Sequence, residues 1–100
     1  MNALTIDQLN IFSKISLRII KEQEIIIGPM AWEEAKKVPG LHIDASKEKV
    51  TFDGDEKEVL NKLVIQYERL FGKLSHAVSK EAVQDLLAEL PKGEIPSTLQ

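Results

Sequence analysis

Cysteine is absent from the 100-residue sequence, which excludes a disulfide framework, a thiolate metal site and a cysteine nucleophile together. Aromatic residues are few: one Trp, one Tyr and three Phe do not supply the basic stripe with interleaved rings that a nucleic-acid face requires. No apolar stretch approaches the ~18 to 20 residues of a membrane span. The opening Met1-Asn2-Ala3-Leu4-Thr5 lacks the basic start of a secretory signal. We therefore expect a cytoplasmic protein with no membrane partner. Charge of one sign is also missing, since 13 Lys and Arg stand against 16 Asp and Glu for a net charge of −3. With lysines spread along the chain, nucleic acid is a disfavoured partner.

Glycine is scarce too, and the five residues Gly28, Gly40, Gly54, Gly72 and Gly93 stand singly. A phosphate-cradling loop needs several at set spacing before a helix. Serine never occurs in a Gly-x-Ser-x-Gly setting, and neither a His-Glu-x-x-His nor a Glu-x-x-His pair is present. No catalytic residue, cofactor or metal is expected, and the chain reads as a non-enzyme. What remains is 43% apolar and 29% charged, the balance of one folded domain.

The order of elements follows from periodicity and punctuation. Thr5 and Gln8 have the spacing of a capping box, after which Leu9, Ile11, Phe12, Ile15, Ile19, Ile20 and Ile26 cover roughly half a helical wheel at about 100° per residue. The Ile25-Ile26-Ile27 run also suits a short strand, but we favour continuation of the helix. Gly28-Pro29 breaks it, and a second helix runs from Pro29 to about Val38, ended by Pro39-Gly40. Alternation of Leu41, Ile43 and Ala45, then of Val50 and Phe52, across Ser46-Lys47-Glu48 predicts a β-hairpin.

A second capping box, Asp55 with Glu58, opens the clearest helix, with Val59, Leu60, Leu63, Val64, Tyr67, Leu70 and Phe71 on its apolar side and Gly72 at its end. The last helix is expected to begin at Ser75 or Ser79, with Val78, Ala82, Val83, Leu86, Leu87 and Leu90 on its apolar face, and Pro91 and Gly93 stop it. The whole is α+β and mostly helical, in the order α-α-β-β-α-α, with a central antiparallel hairpin packed on helices. Residues 1–93 form the compact domain, and 94–100 are expected to be a mobile tail.

Three groups of residues invite a chemical role. His42 and Asp44 share a strand face, which suits an oriented imidazole, but that face should be the wet one. His76 is expected in the first turn of the last helix, and a bis-histidine haem site with His42 has no further support. Asp53-Gly54-Asp55-Glu56-Lys57-Glu58 fails as an EF-hand because Lys57 and Glu58 fall where an oxygen ligand and glycine belong, so it reads as a turn and a cap.

The remaining signal is an apolar surplus. The first helix has a broad arc with Ile6 and Leu17 outside it, Ile65 lies among polar residues, and Trp32 is the only tryptophan. Such residues mark contact surfaces. We expect a protein-interaction or regulatory module that dimerises through its first helix, with Ile6, Phe12, Leu17, Ile19, Trp32 and Ile65 as interface candidates. A nucleic-acid-binding regulator and a small-ligand domain are the alternatives.

Overall fold

The computed structural model describes residues 6–100, with side chains from Asn10 onward. The first helix, α1, spans Ile6–Ile27, so the three consecutive isoleucines close a helix rather than form a strand. Thr5 of the proposed capping box lies outside the described residues. Gly28, at φ +74, turns the chain, and α2 (Met30–Lys36) follows with Pro29 at its N-cap.

Strands β1 (Leu41–Asp44) and β2 (Lys49–Phe52) pair antiparallel with Leu41 opposite Phe52 and Ile43 opposite Val50. The register places these four apolar residues on one face, as the period of two requires. A 3-10 turn over Ala45–Lys47 joins the strands. Asp44 caps it by accepting from the Lys47 amide, and Glu48 closes the loop at φ 48. The hairpin lies against α1, and Ser13 donates a hydrogen bond of 2.6 Å to the Val50 carbonyl.

Helix α3 (Glu56–Phe71) begins where Asp55 accepts from the amides of Lys57 and Glu58. The acidic run is thereby explained as a turn followed by a cap. Gly72, at φ +85, allows α4 (Lys73–Ala82) to start at once. Ser75 and Ser79 are therefore interior positions of α4, not its N-caps. Both are buried, and Gln23 of α1 donates to the Ser75 carbonyl at 2.9 Å and the Ser79 hydroxyl at 3.0 Å.

The last predicted helix is broken at Val83, and a short α5 (Gln84–Leu87) follows. Arg18 of α1 bridges the break, donating to the Ala82 carbonyl at 3.3 Å and to Asp85 at 2.7 Å. The α+β order of the sequence is otherwise the order observed.

The closing segment differs from the expected loose tail. It forms two 3-10 turns, Lys92–Glu94 and Ser97–Leu99, and Pro96 and Leu99 are fully buried. Thr98 donates its amide and hydroxyl to the Asn61 side chain of α3, and Lys57 donates to the Gly93 carbonyl. Isolated apolar residues such as Pro96 and Leu99 carry no period, so nothing local announces their burial.

One hydrophobic core runs through these elements. Phe12, Ile15, Ile19 and Ile20 of α1 meet Ala31 and Ala35 of α2, Leu41 and Val50 of the hairpin, and Leu60, Leu63, Val64 and Tyr67 of α3. Helix α1 contacts α2, α3, α4, α5 and β2. From Ile11 to Ile20 its apolar arc is broad because neighbours within the same chain surround it.

Candidate interaction surface

The six interface candidates are scattered. Phe12 and Ile19 have no exposed surface at all, since the hairpin and helices cover them, so they offer nothing to a second chain. Leu17 is half-buried against the core beside the hairpin. Trp32 is also half-buried, and its indole N–H donates to Glu24 at 2.8 Å, which ties α2 to α1. Ile65 is exposed alone on the outer side of α3. The Ile6 side chain lies outside the described residues.

A different apolar surface emerges at one end of the helical bundle. The Tyr67 hydroxyl of α3 donates to the Ala31 carbonyl of α2 at 2.5 Å, and Gln23 of α1 reaches Ser75 of α4. These two ties bring the α1–α2 turn at Gly28 and the α3–α4 turn at Gly72 to the same end. Met30 and Leu70 flank the first tie, and Ile26 and Leu74 flank the second. All four are large and exposed, Leu74 to 73%, and Ile25 beside them is exposed to 77%. Ile27 and Phe71, half-buried against the core, lie at the same two turns.

These residues were legible as apolar but not as surface. Leu70 falls on the apolar side of its helix, yet it remains exposed. A usable signal was their position, since each lies within three residues of Gly28-Pro29 or Gly72.

Charges of both signs lie at this end, with Lys21, Glu22 and Glu24 near the end of α1 and Glu68, Arg69 and Lys73 around the α3–α4 turn.

The histidines are committed elsewhere. His42 is exposed and its Nε2 lies 3.1 Å from Asp53, not beside Asp44, whose carboxylate accepts from Ser46 and the Lys47 amide. Those two bonds also hold the Asp44 carboxyl below the ordinary aspartate range, the Ser46 hydroxyl having the larger effect. His76 does lie in the first turn of its helix, and both ring nitrogens face acceptors, Glu68 at 3.0 Å and the Thr98 carbonyl at 2.5 Å. It pins the closing segment to α3 and α4. Burial pushes the Tyr67 phenol above its ordinary value, with a smaller contribution from the Glu34 charge.

Glu34 carries a testable pH effect. It is buried between α2 and α3, where it accepts from Lys37 at 3.0 Å and from Gln66 at 2.9 Å. The hydrogen bond from Lys37, then that from Gln66, lowers its pKa below the ordinary glutamate value. Stability from this group is fully present above that ordinary value and is lost as pH falls through the lowered one. Glu34→Gln should therefore melt lower than the wild type at neutral pH, with the gap closing below about pH 4. A gap that stays constant in thermal melts between neutral and acid pH would contradict this role.

Among the described residues, no group of three or more His, Asp or Glu side chains is placed to hold a metal ion. No helix among them is long and apolar enough to cross a membrane. Comparison with known protein families, curated proteins and solved structures gave no match.

Proposed function

We propose that this chain is a non-enzymatic protein-interaction module that pairs with a second copy of itself through the apolar end of its bundle. The observation that carries the proposal is the gathering of Ile25, Ile26, Met30, Leu70 and Leu74 at the two helix turns, all exposed. Exposed apolar side chains grouped in this way mark contact surfaces, whereas single ones such as Ile65 are ordinary. A second copy is favoured as the occupant because an isologous pairing would cover these residues on both chains at once.

Sedimentation equilibrium at micromolar concentration tests the proposal. The wild type is expected to be dimeric, and Leu74→Asp is expected to weaken association by roughly a hundredfold through an unpaired charge at the centre of the contact. Because Leu74 is already exposed, the far-UV circular dichroism of the variant should be that of the folded chain. Acidic substitutions at Phe12 or Ile19 would not serve, since they break the core. A wild type that stays monomeric at its highest soluble concentration, or a Leu74→Asp chain that dimerises as well as the parent, would defeat the proposal.

A further inference from the structure

The closing segment is fastened at one point by an imidazole whose two neighbours can only accept. His76 of α4 is half-buried, with Nδ1 3.0 Å from a Glu68 carboxylate oxygen of α3 and Nε2 2.5 Å from the Thr98 carbonyl oxygen. An ionised carboxylate and a main-chain carbonyl accept hydrogen bonds and donate none. A neutral imidazole has a single N–H, so it serves one of these neighbours and turns a bare lone pair towards the other. Only the imidazolium, with a proton on each nitrogen, makes both bonds.

We propose that His76 is a proton-operated latch: doubly protonated, it holds the closing segment onto α3 and α4, and loss of one ring proton loosens that segment. Seating supplied by this residue is fully present at acid pH and is lost as the pH rises through the imidazole range, about 6.5 for an ordinary histidine.

The charges around the ring come from three elements. Helix α3 contributes Glu68 in direct contact, while Lys57, three turns earlier, is occupied with the Gly93 carbonyl. On α4 itself, Lys73 and Lys80 stand about one turn before and after His76 and oppose its proton. The closing segment carries Lys92 and Glu94 in its first 3-10 turn, and the main-chain carboxylate of Gln100 lies two residues beyond Thr98. Helix α1 meets α4 through the uncharged bonds of Gln23 to Ser75 and Ser79. The Glu68 contact outweighs the two lysines, because ammonium groups on flexible side chains a turn away interact weakly through water.

The latch sits where release has a consequence. Pro96 and Leu99 flank Thr98 and are fully buried, so loosening uncovers apolar surface on the segment and on the helices beneath it. The Thr98 bonds to Asn61 and the Lys57 bond to Gly93 do not depend on the ring protons, so the segment loosens rather than detaches.

Amide hydrogen exchange of the full chain at pH 5.5 and 7.5, corrected for the intrinsic pH dependence of exchange, tests the inference. The Thr98 amide, bonded to Asn61, and the Leu99 amide, bonded to the Pro96 carbonyl, report the seating. Their protection should be about tenfold higher at pH 5.5, the effect of one charge-assisted hydrogen bond. The ring 15N shifts of His76 should show both nitrogens protonated at that pH. Glu68→Gln provides the decisive variant, because its side-chain amide can donate to a bare Nδ1 and so lets the neutral ring complete both bonds. Its protection should stay high and agree within about twofold at the two pH values. His42→Gln, which alters the only other histidine, should keep the tenfold difference. Equal protection of the wild type at both pH values, or a bare ring nitrogen at pH 5.5, would overturn the latch. So would a Glu68→Gln chain that keeps the tenfold difference or is unprotected at both pH values, or a His42→Gln chain that loses the difference.

Discussion

Replacing Phe12 with alanine is expected to cost the folded chain about 3 to 5 kcal/mol, the range for removing a buried phenylalanine ring. The ring has no exposed surface and meets Phe52 of β2 edge-on, with centroids 6.4 Å apart and planes at 76°. Its removal leaves a cavity where α1 supports the hairpin. The flanking positions are stiff, because Ile15 and Ile19 are β-branched and Ser16 is bonded back to the Phe12 carbonyl. Partial collapse should therefore recover little.

For a domain whose whole stability is on the order of 5 to 15 kcal/mol, that loss is large. Urea unfolding followed by far-UV circular dichroism measures it as a fall in midpoint at unchanged slope. A change below about 1 kcal/mol would mean that Phe12 is not the core residue described. The experiment also separates folding from association, because Phe12 lies inside one chain and Leu74 lies on its surface.

Gly40→Ala should be the most damaging single change outside the apolar core, at roughly 2 to 4 kcal/mol. Gly40 sits at φ +85, a conformation that disfavours any side chain. An added Cβ would also lie 2.7 Å from the Asp53 carbonyl oxygen and 2.9 Å from Val59 Cγ2. The backbone cannot ease away freely, since the Asp53 amide donates to the Gly40 carbonyl at 2.7 Å. The clash thus falls where α2 hands the chain to β1 and where β2 hands it to α3.

Gly28→Ala provides the control. Gly28 has a similar φ of +74 but nothing within 4 Å of an added Cβ, so only the conformational term of about 1 to 2 kcal/mol applies. Urea midpoints should therefore rank wild type above Gly28→Ala and Gly28→Ala above Gly40→Ala. Equal losses at the two glycines would show that the contact with Asp53 and Val59 contributes nothing.

Much of the architecture was legible in local chemistry. Asp55 and Glu58 announced the start of α3, the alternation from Leu41 to Phe52 announced the hairpin, and Gly28-Pro29 and Gly72 marked the turns. These signals act within a few residues, through caps, backbone freedom and the side-chain period of each element. The misplaced features all needed contacts between distant residues. Ser75 and Ser79 have the composition of N-caps, but their burial depends on Gln23, more than fifty positions away. The seating of Leu99 depends on the bond from the Thr98 amide to Asn61 and on the bond between the His76 ring and the Thr98 carbonyl.

The candidate surface shows the same division between local and distant information. Ile26, Met30 and Leu70 were identifiable as apolar, and a helical wheel assigned each to the side that faces other helices. A wheel reports angle around the axis, not how far along it a neighbour extends. Sequence alone therefore determined which elements form, in what order, and which side of each is apolar, because propensity, capping and periodicity are local. Only the tertiary structure decided that the arc of α1 from Ile11 to Ile20 is satisfied within one chain, while Ile26 at its end joins the uncovered apolar residues at the two turns. Burial is a property of what lies opposite a side chain, and for this protein the opposing residues come from other parts of the chain.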